Sequence, residues 1–238
     1  MTNSTGERLA RGSIPVPSVP ILEPGDRLTR DEFERRYASM PALNKAELIE
    51  GVVYMPSPVR VRRHGGPHAK IITWLGNYDA KTPGVEVADN ATARLDLDNE
   101  PQPDAMLYIV PELGGQVRIT SDDYIEAAPE LVAEVASSSA SYDLNTKLHV
   151  YRRNGVQEYV VWRVLDRQID WFVLRSGCYE SLKPDDDGVL RSPNFPGLWL
   201  DAAALLRGDL AGTLQVLDAG TATAEHSAFV AKLGDAGA

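Results

Sequence analysis

The sequence predicts a mixed α/β chain with one principal domain, and three observations predict it. Its 238 residues are enough for one sizeable hydrophobic core with tails, or at most two small cores. Short strand-like apolar runs alternate along it with segments that carry helix start and stop signals. Its composition, 43% hydrophobic and 24% charged, is that of an ordinary globular protein.

In chain order, residues 1 to about 25 are rich in Pro, Ser and Gly without apolar periodicity and read as a flexible arm. Thr29 followed by Glu32 forms a capping-box pattern opening a helix through Tyr37, with Phe33 and Tyr37 one turn apart and Pro41 as the stop. Glu47 to Tyr54 (ELIEGVVY) reads as one strand-like run, broken by Pro56-Ser57-Pro58. Pro67 suits the first turn of a second helix whose apolar face is Ile71, Ile72, Trp74 and Leu75. His64 and His68 have the spacing of a helical metal pair. Gly65, Gly66 and Pro67 between them argue against one continuous helix, so the pair is rejected and His68 alone, at the helix start, is kept as a candidate.

Strand-like segments follow at Val85 to Ala88, Ala91 to Leu97 and Asp104 to Val110, and then a loop from Pro111 to Asp123. Leu131 to Ala136 (LVAEVA) is an apolar strand with one charge at its centre. The next helix has Ser141 or Asp143 as its cap and Gly155 just past its end. Glu158 to Val164 and Gln168 to Leu174 form a hairpin across Leu165-Asp166-Arg167. Asp185-Asp186-Asp187-Gly188 reads as a solvated turn, since it lacks the ligand spacing of a calcium loop. Helical stretches are expected around Ala202 to Leu206 and His226 to Leu233.

The chemistry concentrates on Asp104, Glu134 and Lys147. Alternation puts Leu131, Ala133 and Val135 on one face of their strand and Val132, Glu134 and Ala136 on the other. A carboxylate buried there is costly unless it is paired or holds a cation. Asp104 opens its own apolar run, so adjacent strands would bring the two carboxylates into one cleft, as a hard oxygen-preferring cation requires. Asp143, Lys147 and Tyr151 are successively four apart and line one helical face. On spacing alone, Asp143 and Lys147 read better as a surface ion pair, and Tyr151 as a core-edge aromatic.

Charge bears on the partner. The formal net charge of −10 runs against nucleic-acid binding, where phosphate neutralisation supplies most non-specific affinity. The stretch Arg60, Arg62, Arg63, His64, His68, Lys70 is a local exception that reads equally as a solvated basic loop or a phosphate contact. Cys178 is the only cysteine, so no intrachain disulfide is possible. No apolar run approaches bilayer length and the N-terminus lacks a signal-peptide pattern, so no membrane partner and a cytoplasmic location are expected.

The run PELVAEVASSSASYDLNTKLHVYRRNGVQEYVVW, preceded by QPDAMLYIV and by ELIEGVVYMPSP with the later His68, resembles the bacterial putative restriction endonuclease family (Uma group) of the PD-(D/E)XK nuclease superfamily. The resemblance spans about Leu28 to Leu206 and divides the chain into the arm (1–25), a restriction-endonuclease-like domain (26–208) and a C-terminal helical extension (209–238). It implies a central mixed β-sheet flanked by helices, with the site where two adjacent strands diverge. Asp104 and Glu134 would be the metal-binding acids, with a main-chain carbonyl near Val135 as a further ligand. The superfamily's lysine commonly lies two residues after the acid. Here that position is Ala136, and the matching residue is Lys147 from the next helix. Glu47 matches the strand glutamate, while His68 and Tyr151 match recurrent positions. Ser138 departs from a common proline. The implied activity is Mg2+- or Mn2+-dependent hydrolysis of DNA phosphodiesters, with Lys147 positioning the water, Arg60, Arg62, Arg63 and Lys70 meeting phosphates, and a possible homodimer. The alternatives are a catalytically inactive nuclease-fold module binding nucleic acid or protein, and a metal-dependent hydrolase of small phosphoesters.

Overall fold

A computed structural model describes residues 19–55 and 59–236, so the expected arm up to residue 18 and the Pro56-Ser57-Pro58 break lie outside the described residues. Leu22 is already buried, in a small core with Phe33, Ala46, Leu48 and Val53, so packed chain begins ahead of residue 26. Helix α1 (Arg30–Ala38) starts after Thr29 as expected, but no side-chain cap forms there. Glu32 turns instead to Arg35 and Arg36 in the next turn.

The expected strand from Glu47 to Tyr54 is two strands, β1 (Glu47–Ile49) and β2 (Val52–Tyr54), paired antiparallel. Glu50 and Gly51 both have positive φ, 53° and 69°, the two-residue reversal whose twist suits a hairpin. The second helix also departs from expectation. A π-helical turn (Val61–Gly65) runs without a break into α2 (Gly66–Asp79). Pro67 sits in the first turn of α2, where no backbone donor is needed, and the Gly66 N–H bonds back to the Val61 carbonyl. The segment holding both histidines is therefore continuous, and their rings lie 5.7 Å apart.

Strands β3 (Val85–Asp89), β4 (Ala93–Arg94), β5 (Ala105–Ile109), β6 (Arg118–Ile119), β7 (Ile125–Glu126) and β8 (Leu131–Ala136) follow. Of the Ala91 to Leu97 run only β4 is extended, and the expected loop after Pro111 contains β6. A helical segment over residues 140–154 comprises α3 (Ala140–Tyr142), a π-helical turn (Asp143–Lys147) and α4 (Leu148–Asn154), ended by Gly155 at φ 86°. It leads into β9 (Glu158–Arg163), β10 (Gln168–Arg175), β11 (Cys178–Ser181), β12 (Leu190–Arg191) and β13 (Trp199–Leu200). Helices α5 (Ala202–Arg207), α6 (Leu210–Thr221) and α7 (Ala224–Ala236) complete the described chain.

The central six-stranded sheet has the order β11-β10-β9-β8-β5-β3, with β8 and β9 parallel and the other neighbours antiparallel. All six residues of β8 are buried. Leu131, Ala133 and Val135 pack with Trp74, Tyr78, Leu205, Leu217 and Leu233 on the face covered by α2 and the C-terminal helices. Val132 and Ala136 pack with Tyr151 and Tyr159 on the other. The alternation read from LVAEVA is thus the division between two cores. The extension after residue 208 lies against the first of them, and His226 on α7 hydrogen-bonds Thr82 at 2.9 Å. Gly220 on α6 passes so close to Gly197 that a Cβ there would stand 2.3 Å from its carbonyl oxygen, which only glycine allows.

A buried carboxyl, Glu100, meets the half-buried Glu34 of α1. Glu100 Oε2 is buried without a hydrogen-bond partner, while Glu34 Oε1 lies 2.8 Å from Arg94 Nε. Burial first, then the neighbouring Glu34, pushes Glu100 up to about 8, so the Glu100 carboxyl keeps its proton at neutral pH. A carboxyl raised on folding gives stability that is complete below its unfolded value and is lost as pH rises through the folded one. The urea midpoint should therefore fall between about pH 4.5 and pH 8, and Glu100→Gln, a permanently neutral donor, should flatten that fall. A midpoint with the same pH dependence in both proteins would refute the raised Glu100 carboxyl.

Candidate active site

The site forms where β5 and β8 separate. The register pairs Ala105 with Ala133, and one step further along it Asp104 stands across from Glu134. Asp104 leaves the ladder there, and its Oδ2 accepts the Val135 N–H at 2.7 Å in place of a backbone carbonyl. It is the N–H of Val135 that is seen to engage Asp104. Glu134 Oε1 accepts hydrogen bonds from Lys147 Nζ at 2.8 Å and from the Tyr151 hydroxyl at 2.9 Å. Lys147 Nζ also donates to Glu47 Oε1 at 2.9 Å, and the same oxygen accepts the Gln102 N–H at 2.8 Å. Strand β1, the approach to β5, strand β8 and the helical segment after it therefore converge on one buried polar cluster.

The surface pair of Asp143 with Lys147 does not exist. Both residues are buried, Lys147 turns to the two glutamates, and Asp143 accepts the Ser139 hydroxyl at 2.6 Å. The reason is the π-helical turn between them. Its wider winding moves residues four apart out of line, so Lys147 points inward to β8 instead of stacking over Asp143. Burial, reinforced by Glu134, pushes Asp143 up to about 7.

Three buried carboxylates, Glu47, Asp104 and Glu134, thus face one fully buried ammonium. Burial raises Glu47, but Lys147 and Lys45 outweigh it and hold that carboxyl below its usual range. Burial raises Glu134 and Asp104; Lys147 opposes this at Glu134, while the Val135 N–H and Lys45 oppose it at Asp104, without cancelling it. Lys147 is held well above its ordinary value despite its burial, chiefly by Glu134 and Glu47. Lys147 and the less buried Lys45 face three carboxylates, which leaves Asp104 and Glu134 raised and short of positive charge. Their hard oxygens and this deficit fit a divalent cation. Among the described residues, no three His, Cys, Asp or Glu side chains converge in a way that would hold a metal ion. Protein ligation would accordingly rest on Asp104 and Glu134, with main-chain or water oxygens completing it.

Both histidines of the helical segment reach Asp104. His68 Nε2 lies 2.8 Å from the Asp104 carbonyl oxygen and 2.9 Å from Asp89 Oδ1. Both are acceptors, so this nitrogen carries the proton and fixes the backbone that presents Asp104. His64 Nε2 stands 3.3 Å from Asp104 Oδ1, the oxygen that Val135 leaves free, and its Nδ1 is buried without a partner. Sequence reading discarded His64 along with the histidine pair; the signal that would have kept it was the spacing of four, had the helix been accepted. Lys45, 4.0 Å from Asp104 Oδ1, and Tyr142, whose ring packs on Tyr54 and faces Lys147, were not singled out either. Arg60, Arg62 and Arg63 are exposed around the same π-helical turn, while Lys70 is half-buried on α2, its Nζ close to Gly208.

The family model described as "Uma2: Putative restriction endonuclease" matches residues 30–203. A crystal structure of a putative nuclease belonging to DUF820 from Anabaena variabilis superposes with a TM-score of 0.52 at 14% identity, over 76% of this chain and 97% of that one. At that identity the likeness concerns the fold. No curated protein matches the chain.

Proposed function

The chain belongs to the Uma2 putative restriction endonuclease family, and from that premise and the geometry of its site we propose that it is a Mg2+-dependent endonuclease hydrolysing DNA phosphodiester bonds. The observation that carries this reading is the 2.8 Å contact of Lys147 with Glu134. It supports Lys147 as the amine of the carboxylate–carboxylate–lysine set, relocated to a helix because the usual position is Ala136. In this reading Asp104 and Glu134 bind the metal, with the Val135 carbonyl as a further candidate. The cation, when bound, supplies Lewis acidity and phosphate charge neutralisation. Lys147 orients the attacking water and stabilises charge on the phosphoryl oxygens. Glu47 holds the lysine, Tyr151 holds Glu134, and His68 holds the Asp104 backbone. Exposed Arg60, Arg62 and Arg63 meet the DNA backbone.

Purified protein incubated with supercoiled plasmid and Mg2+ or Mn2+ should nick or linearise it. Glu134→Ala and Lys147→Ala proteins, shown to be folded, should lose at least a hundredfold in rate. Equal rates in all three would refute the assignment. Manganese bound by the parent protein and lost with Asp104→Asn, read by electron paramagnetic resonance, tests the metal independently of turnover. One observation favours a second reading, an inactive nuclease-fold binding module. Lys147 already bridges Glu47 and Glu134 without help from a cation. Metal-insensitive DNA binding without cleavage would select it. A cytoplasmic location and a homodimer belong to the same proposal; among the described residues no helix is long and apolar enough to cross a membrane.

A further inference from the structure

On the other face of the sheet from Glu134, a groove of about 390 Å3 opens between the π-helical turn, α2, the β9–β10 turn and the end of α5. Arg62, Lys70, Arg167 and Arg207 border it, and no acidic side chain does. Its apolar floor includes Trp162 and Leu205. Four cations gathered without a carboxylate stand out in a chain of net charge −10. Several other arginines are tied down: Arg163 pairs with Asp166 and Asp170, Arg94 with Glu34 and Asp122, Arg191 with Asp185. Among the described residues none of the four groove cations enters an ion pair. Mutual repulsion of unpaired like charges is unfavourable unless an anion relieves it.

Position identifies the anion. Trp162 is the register partner of Val135, the residue after Glu134, and Val164 and Arg167 lie just beyond the end of β9. Arg62 is two residues from His64, whose ring stands 3.3 Å from Asp104 Oδ1. The groove therefore begins at the same end of the sheet as the candidate active site, and a polyanion reaching Asp104 along the π-helical turn enters it. The volume admits a nucleotide-sized group, at the lower end of ordinary ligand pockets. Cations at the rim with an indole and leucines beneath suit phosphates above and a sugar or base below.

We propose that this groove seats the backbone of the nucleic-acid strand flanking the scissile phosphate, with Arg167 and Arg207 as phosphate contacts; the inference rests on the nuclease reading of the site. The test is fluorescence anisotropy of a labelled DNA duplex in EDTA, so that nothing is cleaved, across a series of salt concentrations. Both arginines are exposed, and an Arg167→Glu/Arg207→Glu protein should keep the parent's thermal midpoint; Arg167→Gln/Arg207→Gln serves if it does not. We expect at least a tenfold loss of affinity and a log–log salt slope shallower by about 2, one step for each phosphate contact removed. A parent that binds DNA beside a variant with unchanged affinity and slope would overturn the groove and leave the nuclease reading intact. A parent showing no salt-dependent DNA binding would overturn both. Displacement of the DNA by polyglutamate of equal charge would reassign the groove to acidic peptides and overturn the proposal as well.

Discussion

Replacing Lys147 with methionine is expected to abolish the proposed metal-dependent DNA cleavage and to cost about 3–5 kcal/mol of stability at pH 8. The second effect follows from the site alone. Lys147 is 4% exposed, and its ammonium is the direct partner of both Glu47 and Glu134. Methionine fills the same volume, so the loss is electrostatic: two buried carboxylates lose the ammonium bonded to both of them. Their pKa values then rise together, and the sign of the pH dependence is fixed. Carboxyls raised in the folded state contribute stability that is full below their unfolded range and lost as pH rises through the folded values. The variant should therefore approach the parent's stability near pH 5 and fall away from it toward pH 8, as read from urea midpoints. Adding Glu47→Gln should return part of the loss, because it removes one of the orphaned charges. A Lys147→Met protein as stable as the parent at pH 8 would mean the two glutamates are not ionised against this lysine. Undiminished cleavage by the variant would remove Lys147 from the chemistry.

How legible this was in the sequence depends on which geometry each residue needs. Glu134 was readable because a strand has one period, and LVAEVA alternates between two cores with the charge on a known face. Gly155 and the hairpin across Leu165-Asp166-Arg167 were readable because turn chemistry is local. Lys147 was not. Its spacing from Asp143 assumes 3.6 residues per turn, and the π-helical turn of Asp143–Lys147 breaks that assumption; only resemblance to a family singled it out. His64 failed for a related reason, since a π-helical turn ending at Gly65 runs directly into α2 at Gly66-Pro67. The hairpin of β1 and β2 was hidden because Glu50 adopts a left-handed conformation unusual for its type. Helix α6 went unmarked because Gly212, Thr213, Gly220 and Thr221 are weak helix formers, and its stability comes from packing on α2 and β13.

Glu158 separates what this family's sequence pattern preserves for folding from what serves the site. It lies in the same Gly-Val-x-Glu-Tyr run that carries the family resemblance, yet its surroundings are those of a structural anchor. It is fully buried on β9, opposite Leu131 at the far end of β8 from Glu134. Trp171 Nε1 donates to its Oε2 at 2.7 Å, while the Ser192 hydroxyl and the Asn194 N–H donate to its Oε1 at 2.5 and 3.1 Å. It thereby joins β9, β10 and the turn before β13. Glu158→Ala strands two buried donors, Trp171 Nε1 and the Ser192 hydroxyl, and opens a cavity, so a loss of roughly 3–5 kcal/mol is expected, measured by urea unfolding. Glu158→Gln should fall between the two, since its amide group meets donors where an oxygen accepted them. Below the unfolding transition, cleavage per folded molecule should match the parent in both variants, because no contact runs from Glu158 to Asp104, Glu134 or Lys147. An unchanged urea midpoint together with lost cleavage would place Glu158 in the catalytic machinery and refute its role as an anchor.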